Sequence, residues 1–484
     1  MLITVSSMLM IVCFILVIFF ILLNKINRAI VSISGAVITY YILIFFEGKD
    51  YSIVVDLLFG TPDDGFVNLR TIILIIGIMF IVQIAEQAGV FQFLAAYVIK
   101  RSNGNPILLM IIFCFLAVGL SAILNNIITV MILIPLTILI SRILNTNPTP
   151  YILTQAVLVN IGGTIFSISS IPNILITTAS NISFGEFFLN VGLFSIIVVC
   201  LTIIFFIFLY KSELTKPDDH LIETLAQFDV WNVVQSKKLF FTSLLGIIVL
   251  LLSFLIIPVE LVPPDIIAIT IAMIMVIVTY FQNVDENKIL NKLDYQLILY
   301  LLGIFVIAGG LEVTGIIDSI ASLLNNLGSN LTTLTQIISI MWIAAILSSL
   351  IDNIPITKVL VPIVDDFIPE SASSEINKRY FYGLSMGANW GDNLTPLGDN
   401  ILVINLAEQN NRPIRIFDFW RLGFITTMFQ LMIASLYFII LFDVVFGAFF
   451  IGILLLAYFS LWILNHKFEI MSDVMDKIRN IIIG

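Results

Sequence analysis

Two polar clusters sit inside otherwise apolar sequence, and each carries side chains able to hold an ion. Ser121-Ala122-Ile123-Leu124-Asn125-Asn126 is followed by Thr129 and Pro135, and Ser348-Ser349-Leu350-Ile351-Asp352-Asn353 by Pro355, Thr357 and Pro362. Asn125-Asn126 and Asp352-Asn353 set side-chain amides and a carboxylate beside backbone groups that a turn would free. A helix starting there offers unpaired N–H groups and a partial positive charge to an anion, while an unwound carbonyl end offers oxygens to a cation. Asn and Thr at such positions also serve simply as helix caps. A second polar segment follows each cluster. Gly162-Gly163-Thr164 leads through Ser167, Ser169, Ser170 and Pro172 to Asn173, and its counterpart runs Gly387-Ala388-Asn389-Trp390-Gly391-Asp392-Asn393-Leu394-Thr395-Pro396-Leu397-Gly398-Asp399-Asn400. Glycines permit close backbone approach and Pro396 removes a donor, so neither segment continues as regular helix.

The two sets differ in charge. Asp352 faces Asn125, Asp392 faces Gly163 and Asp399 faces Ser170, so all three motif carboxylates belong to the later set. Carboxylates inside a membrane are costly and mark ion or proton pathways. Lys358 lies six residues past Asp352, roughly 9 Å along a helix. It is a candidate charge partner that neutralises an aspartate, exchanges a proton or meets an anionic substrate, unless it snorkels to the surface. Glu86 and Glu312 end matching spans before a glycine and read as interfacial end residues as readily as functional ones.

The spacing of these clusters reveals a duplication. The first pair recurs at an offset of 227 residues (348 minus 121, 362 minus 135). Gly77, Glu86 and Gly89 recur as Gly303, Glu312 and Gly315 at 226, and Gly162-Gly163-Thr164 faces Gly391-Asp392-Asn393 at 229. Near-constant offsets over such a length indicate a repeated unit. Matching polar, Gly-rich interruptions in apolar segments point to a secondary transporter with a binding site near the bilayer midplane.

The elements that carry the clusters follow from composition. The chain is 60% hydrophobic and 11% charged over 484 residues, with many apolar runs near the length of about 20 residues that crosses a bilayer as helix. Full spans are expected at 4–23, 29–46, 71–88, 190–210, 239–257, 264–281, 296–311, 421–442 and 444–464. Residues 106–143 and 334–368 read as helical hairpins around the polar tips, and 150–181 and 380–404 as interrupted spans, tolerated only where they line a cavity. This predicts an all-α polytopic protein of about eleven spans. Its units are a first span (1–28), repeat 1 (29–210), a cytoplasmic linker with a connecting span (211–263), repeat 2 (264–442) and an extra span with an interfacial tail (443–484).

Basic residues orient it. With the amino terminus outside, Lys25, Arg28, Lys100, Arg101, Arg142, Lys211, Lys216, Lys237, Lys238, Lys288, Lys292, Arg412, Arg415, Arg421, Lys467, Lys477 and Arg479 fall inside. Lys49, Arg70, Lys378 and Arg379 are exceptions. The first hairpin then enters from inside and the second from outside, so the repeats are inverted and the carboxyl terminus is cytoplasmic. The first 23 residues lack a basic leader region and a small-residue cleavage site, and are expected to remain as a span. Cys13, Cys114 and Cys200 lie in separate apolar runs as packing residues, and His220 and His466 lie outside those runs without metal-ligand spacing. The net charge of −10 comes with no basic stripe for nucleic acid, and no phosphate-binding loop supports ATP driving.

The pattern Ser-x-x-x-(Asp/Asn)-Asn followed by an interrupted Gly-Gly-Thr or Gly-x-Asn-x-Thr-Pro-x-Gly span resembles the ion transporter superfamily. That group holds arsenite permeases, sodium/proton antiporters, citrate transporters and divalent anion/sodium symporters. The resemblance covers about residues 29–442 and implies an inverted-repeat fold, sites at the hairpin tips and broken spans, a homodimer and elevator-like alternating access. Position by position it implies one half-site from Asn125, Asn126, Thr129, Gly163 and Thr164, and another from Asp352, Asn353, Thr357, Asn393 and Thr395. This chain departs from the pattern at Asn125, where Asp is common, at Ser169-Ser170, where Gly-Asp is common, and in gaining Asp392 and Asp399.

The expectation is a cation-coupled transporter of a small inorganic or carboxylate anion in a cell membrane, not an enzyme, with Na⁺ or H⁺ as coupling ion and no cofactor. Asp352, Asp392, Asp399, Asn389 and Asn400 are the candidate ion ligands. Asn125, Asn126, Thr129, Gly163, Thr164, Asn173, Asn353, Thr357, Asn393 and Thr395 are the candidate substrate contacts. A Na⁺/H⁺ antiporter and an arsenite permease are the alternatives within transport. A passive channel and an intramembrane aspartyl protease using Asp352 and Asp392, two aspartates able to share a proton, are the other classes.

Overall fold

The apolar runs fold as helix, which lets a spanning segment satisfy its own backbone groups. A computed structural model describes residues 4–445 apart from 24, 64, 103, 218–219, 221–228, 235, 283–285, 329–330, 370–371 and 397–399. The helices used below are α1 (Val5–Leu23), α2 (Arg28–Phe45), α3 (Ile53–Phe59), α4 (Val67–Gln87), α5 (Val90–Lys100), α6 (Pro106–Ser121), α7 (Asn126–Ile143), α8 (Thr149–Gly162), α9 (Ile171–Ser180) and α10 (Phe184–Tyr210). They continue as α11 (Lys237–Ile256), α12 (Pro264–Tyr280), α13 (Tyr295–Val313), α14 (Ile316–Gly328), α15 (Thr333–Leu350), α16 (Asn353–Phe367), α17 (Ser374–Gly391), α18 (Asn400–Gln409) and α19 (Ile416–Phe442). Eight of the nine expected full spans are α1, α2, α4, α10, α11, α12, α13 and α19. The ninth, 444–464, lies almost wholly outside the described residues, as does the tail, and nine described helices are long and apolar enough to cross a membrane. The chain is a multi-pass membrane protein.

The long helices pair across the duplication. α2 packs along α13, and α12 along α4, so each repeat lends a helix to the other. Small residues set the spacing: a Cβ on Gly303 would lie 2.5 Å from the Ser32 carbonyl carbon, and one on Gly77 would lie 2.8 Å from the Ala268 carbonyl carbon. α1 covers α2 and α11 covers α12. The first span and the connecting span thus occupy matching places beside their neighbours. α3 packs against both α4 and α13 and so joins the α1–α2–α13 and α4–α11–α12 groups into one bundle.

The hairpins and broken helices form the second. α6 lies on α8 and α15 on α17, while α16 packs against α9 and α7 against α18. The return arms α7 and α16 begin at Asn126 and Asn353, earlier than the apolar pattern suggests. The cause is capping: Asn125 Oδ1 accepts from Ile127 N at 2.7 Å and Asp352 Oδ1 from Ile354 N at 3.0 Å. Each arm holds a proline at the matching place, Pro135 and Pro362, which leaves a carbonyl one turn back without its helical donor.

α4 serves as a ruler for the inversion. Met131 of α7 lines a cavity with Ile75–Glu86, the later turns of α4, whereas Lys358 of α16, at the matching position, lines one with Val67, Asn68 and Arg70 at its start. The two return arms therefore leave their tips toward opposite ends of α4. α13, the counterpart of α4, runs antiparallel to it, since Lys292, just ahead of α13, lies 3.7 Å from Glu86 at the end of α4.

Candidate functional site

The two hairpin tips meet. Asn125, Asn126, Ile127, Asn353 and Ile354 line one small pocket with Ser169, Ser170, Ile171 and Pro172 of the first break and with Arg28 and Leu297 of the other bundle. Three helices start there: α7, α16 and α9. Each N-terminus presents unpaired N–H groups and roughly half a positive charge, and Arg28 adds a full one. Asp352 answers it, with Oδ2 at 3.8 Å from Arg28 Nη1. Next to this pocket lies a cavity of about 610 Å³ reached by Asn125 and Ser169 and walled by Ile78, Val82, Met131 and Ile174.

Behind the tips, the broken helices exchange hydrogen bonds across the duplication. Asn160 of α8 donates to Asn393 Oδ1 at 2.7 Å and to Asp392 Oδ2 at 3.3 Å. In the mirrored direction, Asn389 of α17 donates to Asn173 Oδ1 at 2.7 Å and accepts from Ser170. Asn400 holds Asp392 through its carbonyl at 2.9 Å and its carboxylate at 3.4 Å. Asn173 donates to the Gly163 carbonyl at 2.8 Å and Asn393 to the Val157 carbonyl at 2.9 Å. All are buried, so unmade bonds here would be expensive. Close packing keeps the network in place. A Cβ on Gly162 would meet the Val118 backbone at 2.8 Å, and one on Gly391 the Ala345 backbone at 2.3 Å.

The tips themselves are unequal. Asn126 accepts from Ser121 at 2.9 Å and donates to Asn160 at 2.7 Å. Its counterpart Asn353 is as buried, 6% against 7% exposed, yet no hydrogen bond to its side chain exists among the described residues. Thr357, one turn further on the same face of α16, is fully buried with its hydroxyl unpartnered.

The predicted residues fall into groups. Asn125, Asn126, Asn353 and Asp352 converge at the tips; Asn173, Asn389, Asp392, Asn393 and Asn400 join the network. Thr129 bonds back to the Asn125 carbonyl at 3.2 Å and Thr395 to the Ser349 carbonyl. Thr164 takes a bond from Trp390 Nε1 at 3.0 Å and shares one with Ser195 at 2.9 Å, which makes it a packing anchor. Gly163 leaves room for Asn126 Oδ1, 3.1 Å from where a Cβ would stand. Lys358 is not at the tips: its amine donates to Asn68 Oδ1 at 2.7 Å and lies over the Phe305 ring, 5.0 Å from its centroid. Glu86 pairs with Lys292, and Glu312 lines the opposite cavity with Lys358. Asp399 lies outside the described residues. Sequence reasoning missed two residues. Asn160 carried a signal, because it precedes Asn389 by the same 229 residues as the breaks (389 minus 160). Arg28 carried none, since a basic residue flanking an apolar run reads as an end marker.

Comparisons with known proteins bear on the family and the fold. A family model described as "Citrate transporter" matches residues 14–377. An uncharacterized transporter of Mycobacterium bovis is 25% identical over 417 residues, 86% of this chain and 94% of that protein. One from Synechocystis is 25% identical over 447 residues, 88% and 95%. The human P protein is 22% identical, with 74% of this chain and 52% of that protein covered. Among solved structures, the YdaH transporter of Alcanivorax borkumensis, described as having an unusual topology, superposes with a TM-score of 0.58 at 14% identity, covering 90% of this chain and 98% of that one.

Proposed function

The chain belongs to the citrate transporter family, a family of membrane transporters, and from that premise we propose that it is a secondary transporter that uses a Na⁺ or H⁺ gradient to move a small inorganic or carboxylate anion. One observation carries the reading. Arg28 and the starts of α7, α9 and α16 gather around the Asp352 carboxylate at the meeting point of two hairpin tips. That arrangement favours an anion beside a compensating cation. Asp352, with Asn353 and Thr357 on the next turn, supplies hard oxygen groups for the cation, and Asp392 buttresses the site through Asn160 and Asn400. The seam between the bundles supports alternating access: the 610 Å³ cavity lies along it toward the α4 end, and the cavity of about 900 Å³ around Lys358 and Asn68 lies toward the α4 start. Sliding of the hairpin bundle along α4 and α13 would expose the tips to each side in turn.

The same reading sets the protein in a cell membrane as a homodimer, amino terminus outside and carboxyl terminus cytoplasmic, with no chemical step and no cofactor. Purified protein in vesicles tests it. Labelled citrate, phosphate and sulfate are offered with an inward Na⁺ gradient, an inward H⁺ gradient or none. Accumulation above the outside concentration that collapses with the gradient is the expected result. Equilibration without accumulation would make it a channel. Na⁺-driven proton movement with no anion uptake would make it an antiporter.

A further inference from the structure

Arg28 and Asp352 face each other across the seam. Arg28 opens α2, in the bundle built on the α2–α13 and α4–α12 pairs; Asp352 caps α16, in the hairpin bundle. Their 3.8 Å separation is beyond hydrogen-bond reach, so the attraction is electrostatic and separable. Oδ1 of Asp352 is committed to the Ile354 N–H. Oδ2 faces the guanidinium, and the Thr357 hydroxyl one turn on is orphaned. Arg28 gains nothing as a cap: a cation at the start of its own helix opposes the dipole, and the starts of α7, α9 and α16 add to the repulsion. Its guanidinium also lies over the buried Tyr300 ring, 5.3 Å from the centroid, and the Asp352 carboxylate lies beside it.

We propose that Arg28 is a tethered competitor of the coupling cation at Asp352. The inference rests on the cation-coupled reading above and names how the ion is released. A metal cation held through Oδ2 would stand beside the guanidinium, and the two positive charges repel, so Arg28 and the cation compete for the same carboxylate oxygen. With the tip against the start of α2, Arg28 occupies the carboxylate and the ion departs. When the hairpin bundle slides along the seam, Arg28 stays with α2, and Asp352 can travel only with a cation in its place. The Asp352 carboxylate is neutralised in both positions, and the ion's affinity differs between them.

The test titrates Na⁺, with choline holding ionic strength and pH constant, and reads the thermal stability of the purified protein. Unsubstituted protein should be stabilised by Na⁺, and Asp352→Asn should lose the response. Arg28→Gln should reach half of its stabilisation at about fivefold lower Na⁺, the scale of one partly exposed ion pair. Arg28→Lys should tighten it less, which keeps the test open if the Gln variant folds poorly. In vesicles, Arg28→Gln should also turn over more slowly, because release is impeded. An unchanged or weakened Na⁺ midpoint in Arg28→Gln overturns the proposal while leaving the transport reading intact. Uptake driven by a pH gradient in a protein that Na⁺ never stabilises overturns it in the same way, whereas uptake driven by neither gradient removes both.

Discussion

The two hairpins are built to one plan and finished differently. In the first, Asn126 is bonded to Ser121 and Asn160, so the tip is closed by the protein itself. In the second, Asn353 and Thr357 are buried without such partners among the described residues, where Asp352 meets its capping N–H and a guanidinium 3.8 Å away. Buried polar groups are ordinarily paired, so the second tip is an incomplete shell of oxygens and the first a complete one. Duplication supplies two equivalent frames, and divergence has closed one and left the other open; the open one is the ion site on the reading proposed above.

The sharpest way to break this contrast is to remove a shared support. Asn160→Ala would take one hydrogen bond each from Asn126, Asp392 and Asn393, leaving the Asn126 amide nitrogen and the Asn393 amide oxygen unpaired, and at about 1–3 kcal/mol per unpaired group the purified protein should melt well below its parent; a loss under about 1 kcal/mol would mean that the network does not close the first tip. The inversion predicts an all-or-none labelling result. With the native cysteines replaced, Asn147→Cys and Ser374→Cys, both at exposed hairpin bases, should react from opposite sides of the membrane, and reaction of both from one side would remove the pseudo-symmetry. Two buried threonines give the finest comparison. Thr164→Val strips the Trp390 indole of its acceptor and should cost about 1 kcal/mol. Thr357→Val removes a hydroxyl without a partner and should leave melting within about 0.5 kcal/mol in the absence of ion, yet weaken stabilisation by Na⁺. Equal losses from both would say that the second tip is as closed as the first.

Much of the frame was legible because polar and glycine residues are rare within apolar sequence. Asn125, Asp352, Gly162 and Gly391 announced the tips and breaks, and constant offsets tied them into repeats. What could not be read was pairing at a distance. That α2 lies on α13 rather than on a helix of its own repeat depends on small residues such as Gly303 meeting Ser32, contacts between positions far apart in the chain. Arg28 escaped for a related reason: its role comes from the approach of α16, and nothing beside it in sequence encodes that. Lys358 shows the reverse. Proximity in sequence suggested a partner for Asp352, but several residues of helix carry it along α16 to Asn68.

The most direct test is gradient-driven anion uptake by vesicles carrying Asp352→Asn, measured beside Asn125→Ser. Both substitutions keep a side chain able to cap the following helix, so folding should survive in each. Cation dependence should vanish in Asp352→Asn and persist in Asn125→Ser, even where its rate falls. Cation dependence that survives Asp352→Asn unchanged would contradict the assignment of the second tip as the ion site.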